Sequence, residues 1–116
     1  MPVRILLGKV GAEWGSTLAD LARPENDLEI VGRVNDVLDL LLQTGELKPD
    51  VVVLAQPPGG GEPGVCSHLM LEHPNVVVLL LPSTSGLHVM WRMVLRKESW
   101  SEASKETIHA ALKAQF

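Results

Sequence analysis

Glycine, lysine and hydroxyl residues gather near the amino terminus, in Gly8-Lys9-Val10-Gly11 followed by Gly15-Ser16-Thr17. Such residues after a strand are the materials of a phosphate cradle, where backbone N–H groups, an ammonium and a hydroxyl meet phosphate and Mg²⁺. The spacing does not serve that chemistry. A P-loop needs its lysine directly before the Ser or Thr, and here Trp14 and Gly15 precede Ser16. The glycine spacing of a dinucleotide fold is not met either, and residues 34–36 offer only a vague ribose-binding acid. His68, His73, His88 and His109 lack the spacing of metal ligands. No serine sits in a nucleophile elbow. Ser83-Thr84-Ser85-Gly86 has the composition of a flexible loop, with an anion-binding turn as the alternative. The expectation is a protein that is not an enzyme, with no catalytic residues, no metal and no cofactor.

The bulk properties narrow the class further. The chain has 116 residues, one domain's worth over 1–116, with 46% hydrophobic and 21% charged residues. That composition is globular. A net charge of −4 and a pI near 5.5 argue against a dominant nucleic-acid-binding surface. The single cysteine, Cys66, cannot form an internal disulfide and reads as a small hydrophobe on a helix, which fits a reducing cytoplasm. The first apolar run, Val3 to Leu7, is too short for a signal segment or a membrane span. The expected location is therefore cytoplasmic.

The elements that must position these residues follow from periodicity. Strands are predicted at 3–7, 28–34, 51–54 and 76–81. The third and fourth show almost no polar alternation, as strands buried on both faces do. A fifth strand, 89–95, reads as an edge strand, with Val89, Trp91, Met93 and Leu95 on one face and Arg92 on the other. Helices are predicted at 13–22, at 37–43 behind the caps Asn35 and Asp36, from Pro63 to about residue 72, and at 105–113 behind Ser104. Val37, Leu38, Leu40, Leu41 and Leu42 give the second helix a broad apolar face. The alternation predicts an α/β, doubly wound and mostly parallel sheet of five strands. Only residues 82–88 separate the fourth and fifth strands, where a parallel crossover needs a dozen or more. Length therefore favours an antiparallel fifth strand, and the helix expected in that gap is missing or reduced.

Several strings, in this order and spacing, resemble the receiver domain of response regulators. They are Val3-Arg4-Ile5-Leu6-Leu7, Leu28-Glu29-Ile30-Val31-Gly32, Lys48-Pro49-Asp50-Val51-Val52-Val53-Leu54, Glu72-His73-Pro74-Asn75-Val76 and Ala103-Ser104-Lys105-Glu106. The resemblance covers residues 3–81 and 103–113. It implies a flavodoxin-like fold with strand order 2-1-3-4-5 and favours a parallel fifth strand. In that family an Asp ending the third strand accepts a phosphoryl group, and an acidic pair after the first strand helps hold Mg²⁺. A Thr or Ser after the fourth strand and a Lys after the fifth sense the phosphoryl group. Here the acceptor position falls on Ala55 and the acidic pair within Gly8, Lys9 and Val10. The hydroxyl position falls on Pro82, with Ser83 beside it, and the lysine position on Arg96, Lys97 or Ser101. The resemblance thus implies a degenerate pseudo-receiver that is not phosphorylated, a regulatory module of signal transduction or transcription control. Lys9 at the metal position is either a stand-in for the cation or a solvated lysine.

Without the fourth helix, apolar surface near Met90, Trp91, Met93 and Val94 is left to be covered by the 82–88 loop and Trp100, or by another molecule. The expected interface is the edge of the fifth strand, built from Met90, Trp91, Met93, Val94 and Trp100, for a homodimer or a partner protein. An output domain beyond Phe116 is compatible with the pattern. The alternative from another class is a sensor of a small ligand or nucleotide at the carboxyl edge of the sheet. An enclosed pocket there favours the sensor, and a filled edge favours the interaction module.

Overall fold

The computed structural model describes residues 2–56, 64–82, 89–93 and 97–113. Four parallel strands form its centre: β1 (Val3–Leu7), β2 (Leu28–Arg33), β3 (Val51–Ala55) and β4 (Val77–Leu81). Helices α1 (Ala12–Leu21), α2 (Val37–Leu47) and α3 (Val65–Glu72) connect them in turn, with a 3₁₀ turn at Pro24–Asn26 before β2. Then come β5 (Val89–Met93), β6 (Lys97–Glu102) and α4 (Lys105–Lys113). The sheet order is β2-β1-β3-β4-β5-β6. This is the α/β, flavodoxin-like arrangement expected, with the order 2-1-3-4 in its parallel part.

The strands form where the chain cannot satisfy helical periodicity. In β3 and β4 nearly every residue is buried, because helices cover both faces of the sheet. One core lies between the first face and helices α1 and α4, and includes Leu18, Leu21, Ile108 and Leu112 against Val53, Leu79 and Leu81. The other lies between the second face and helices α2 and α3, and includes Leu40, Cys66 and Leu69 against Leu6, Val52, Val78 and Leu80.

Three helix ends are fixed by recognisable chemistry. Asp36 caps α2, its Oδ1 accepting the Asp39 N–H at 2.8 Å. The helix runs past the expected residue 43 to Leu47 because Arg4 of β1 receives it. Arg4 Nη1 donates to Leu47 O at 2.5 Å and to Lys48 O at 3.1 Å, placing a cation on carbonyls that no helical N–H can reach. Ser104 Oγ accepts the Thr107 N–H at 3.2 Å and starts α4. Arg4→Met is expected to destabilise the protein by about 1–2 kcal/mol, the worth of a partly buried charged hydrogen-bond pair. A lower urea midpoint at unchanged slope would register it. An unchanged midpoint would show that α2 ends without help from β1.

The carboxyl-terminal part differs from expectation in two respects. β5 pairs with β4 antiparallel, Val78 opposite Met93 and Leu80 opposite Trp91, so the short connection decided its direction. The sheet has six strands and not five, because β6 pairs antiparallel with β5. β5 is therefore interior, and the expectation that it forms the sheet edge is corrected. The string Lys-Glu-Ser-Trp-Ser-Glu carries little strand propensity, which is why β6 leaves no trace in the pattern. β6 runs in the same direction as β4 and leads into α4. It therefore occupies the place of the fifth strand implied by the resemblance, with β5 inserted before it. Among the described residues no helix lies between β4 and β5.

Candidate functional site

The carboxyl ends of β1 and β3 meet at Gly8 and Ala55. Ala55 closes β3, half-buried, paired with Leu81 of β4. Gly8 is buried, and its N–H donates to Val53 O at 2.8 Å. That bond draws the two strands so close that a Cβ on Gly8 would stand 2.5 Å from Leu54 Cδ2 and 3.1 Å from Val53 O. A side chain there would displace the end of Leu54 and press on the Val53 carbonyl, which favours glycine. Lys9 is exposed at the rim, and Val10 is half-buried against the first core. Pro82 is buried after β4, its carbonyl accepting Trp14 Nε1–H at 2.8 Å, which ties α1 to the same edge. Gln56, buried beside Ala55, donates its N–H to Leu81 O at 2.8 Å.

These residues enclose little space. A hollow of about 160 Å³ is lined by Gly8, Lys9, Asn35, Asp36, Ala55 and Val65, among others. Small-molecule sites usually occupy about 300 Å³ or more. Among the described residues the one carboxylate lining this hollow is Asp36, and it is engaged as the α2 cap. Mg²⁺ requires several oxygen ligands in octahedral array. One occupied carboxylate, a glycine, an alanine and an ammonium do not supply them, so the donor set among the described residues does not fit the metal that the resemblance implies.

Of the expected site residues, Gly8, Lys9, Val10, Ala55 and Pro82 come together at this edge, and Ser83 lies outside the described residues. Lys97 does not join them. It pairs with Met93, which pairs with Val78 near the start of β4, so Lys97 stands at the amino edge of the sheet. The antiparallel turn of β5 reverses the edge at which the following residues emerge. Ser101, near the other end of β6, is the candidate nearer the carboxyl edge, where Glu102 pairs with Val89. Met90, Trp91 and Met93 lie on β5 and Trp100 on β6, while Val94 lies outside the described residues.

The remaining chemistry-bearing residues are dispersed. His68 pairs with Glu72 at 3.2 Å on the surface of α3, and Cys66 is buried on the same helix. Lys105 of α4 and Arg23 both bond to Asp20 of α1. The Lys105 ammonium, then Arg23, holds the Asp20 carboxyl below its ordinary range against a small opposing effect of burial. A lowered folded-state pKa contributes stability above the ordinary carboxylate pKa and loses it as pH falls through the folded value. Asp20→Asn is accordingly expected to remove a small part of the acid limb of stability while leaving neutral-pH packing intact. Denaturant midpoints of the two proteins between pH 7 and about pH 3 test this. Curves that stay parallel throughout would contradict it.

Sequence reasoning missed how α2 divides its leucines. Leu40 is buried, whereas Val37, Leu38 and Leu42 are more than half exposed. The signal was present: positions 37 to 42 wrap the helix more widely than one buried stripe requires.

A doubly wound sheet of order 2-1-3-4, with α1 and α4 on one face, α2 and α3 on the other, and a site where β1 and β3 end, defines a receiver-like fold. The response regulator domain of Thermotoga maritima CheB is similar, with a TM-score of 0.56 and 24% sequence identity over 72% of this chain and 62% of that one. Identity at that level establishes a common fold. No family model matches the chain, and no curated protein matches it. Among the described residues no helix is long and apolar enough to cross a membrane.

Proposed function

We propose that the chain is a regulatory interaction module with a receiver-like fold that works without phosphorylation. The observation that carries this reading is that Ala55 and Gly8 line the same hollow at the ends of β3 and β1. Neither residue offers a nucleophile or a carboxylate. A receiver's chemistry depends on carboxylates held around Mg²⁺ at this point. With that chemistry gone, regulation falls to binding, and the β5–β6 strands are the part of the sheet that departs furthest from the resemblance. A second copy of the chain is the simplest partner. The alternative is a sensor that binds a small ligand at the carboxyl edge of the sheet.

Incubation with a small phosphodonor such as acetyl phosphate and Mg²⁺, followed by intact-mass measurement, is the direct test. The expected result is no mass gain. A stoichiometric, Mg²⁺-dependent phosphoryl adduct would overturn the proposal. Titration calorimetry with ATP, NAD or FMN separates the alternative: saturable heat would support a sensor.

A further inference from the structure

We propose that two copies of the chain join edge to edge through β2, the two strands antiparallel about a two-fold axis, with Arg33 of each opposite Leu28 of the other. The proposal rests on the reading of the chain as a self-associating module and specifies where it associates. The sheet has two outer strands, β2 and β6. β6 carries a charge at three of its six positions, a composition that keeps an edge from pairing. β2 holds its two charges, Glu29 and Arg33, apart, with Ile30, Val31 and Gly32 half-buried between them.

The backbone of β2 is set for such a pairing at both ends. Val3 N–H donates to Asp27 O at 2.8 Å, and Val34 N–H donates to Leu7 O at 2.9 Å. Leu28 and Arg33, the register partners of Val3 and Leu7, therefore turn their own N–H and C=O groups away from β1. In a regular strand, residues five apart would point opposite ways. The register shift between Ile5 and Leu6 gives β2 one extra residue, which brings Leu28 and Arg33 into the same phase. A two-fold axis between Ile30 and Val31 then sets Leu28 of each copy opposite Arg33 of the other. Each such pair exchanges two N–H···O=C bonds, and both pairs form at once because the interface is isologous. The extra residue sits at the axis, so the interruption it makes falls between the two bonded pairs.

Charge selects a second copy as the partner. Leu28 is flanked by Asp27 and Glu29, so each Arg33 arrives between two carboxylates of the other subunit. Asp27 already pairs with Lys113 at 3.3 Å. Glu29 and Arg33 are exposed, and among the described residues neither has an ion-pair partner. Opposite charges across a strand pair stabilise it, and like charges oppose it. Two β2 edges set parallel would place Arg33 against Arg33 and Glu29 against Glu29. Arg33 also shares the face of Leu28 and Ile30, since its register partner Leu7 belongs to the first core. On that face an open groove of about 540 Å³ lies along β2, lined by Ala19, Ala22, Pro24, Leu28, Ile30 and Arg33 among others. The small alanines of α1 leave it open, and its apolar floor suits the hydrocarbon stem of the partner's arginine.

Light scattering and sedimentation on the full chain, with amide hydrogen exchange followed against concentration, test the pairing. The wild type is expected to be a dimer whose Leu28 and Arg33 amides exchange about tenfold more slowly than in the dissociated chain. Arg33→Glu should weaken the dimer by about tenfold, with unchanged circular dichroism because Arg33 is exposed in the subunit. Glu29→Arg should weaken it as well, and Glu29→Arg/Arg33→Glu should recover most of the loss. A dimer that Arg33→Glu leaves intact, or one whose amides at 28 and 33 stay unprotected, would overturn the edge pairing while sparing self-association. Failure of the double reversal to recover affinity would overturn the antiparallel register. A wild type that stays monomeric at high concentration would overturn the homodimer altogether, without touching the absence of phosphorylation, which the mass measurement reads separately.

Discussion

Placing carboxylates at the two strand ends, with Gly8→Asp and Ala55→Asp together, is expected to yield a protein that takes no phosphoryl group and is about 2–4 kcal/mol less stable. Almost all of that loss should come from position 8. The Gly8 N–H is bonded to Val53 O, so the carbonyl that a new Cβ approaches at 3.1 Å cannot recede without breaking the ladder. Leu54 Cδ2, at 2.5 Å, must rotate away from its packing in the second core. The new carboxylate then lies against an apolar side chain, where burial favours its protonated form and weakens any hold on a cation. Ala55→Asp alone should cost far less, because Ala55 is half-buried at a strand end. Urea unfolding of the two single variants and the double variant separates these contributions. A Gly8→Asp protein as stable as the wild type would refute the packing account. An Ala55→Asp protein that gains Mg²⁺-dependent phosphorylation would refute the stronger claim that the metal site is lost as well.

The parts of this fold that were legible in the chain are those where burial speaks through composition. Val51 to Leu54 and Val76 to Leu81 declare strands covered on both faces, and Asp36 and Ser104 mark helix starts that the structure keeps. The direction of β5 was only half legible: residues 82–88 are too few to cross the sheet, which pointed to the antiparallel course found, while the resemblance pointed to a parallel one. β6 was not, since a polar strand of Lys, Glu and Ser acquires its identity only from its neighbour's hydrogen bonds. Missing it moved the candidate Lys97 to the wrong edge. At the site, the alanine at position 55 was assigned to the acceptor position by the resemblance of the strand that ends there. The closeness of Gly8 to Leu54 could not be read, because it is a contact across strands that no local spacing encodes.

Leu80→Ala should be the most damaging single truncation of this kind, at about 3 kcal/mol within the 2–5 kcal/mol usual for a fully buried leucine. A domain of this length is stable by only about 0.05–0.15 kcal/mol per residue, about 6–17 kcal/mol in total, so the loss is a large fraction. Leu80 has no exposed surface and sits in the second core with Cys66 and Leu69 of α3. Its neighbours cannot close readily over the gap. Leu80 lies in the middle of β4, held to Leu54 on one side and Trp91 on the other, so the sheet cannot bend inward. Only α3 can move, and it is a helix of eight residues anchored by those same contacts. Leu71→Ala on the same helix, at 83% exposure, is the matched control and should change stability by less than about 0.5 kcal/mol. Equal effects from the two would mean that α3 does not pack on β4 as described.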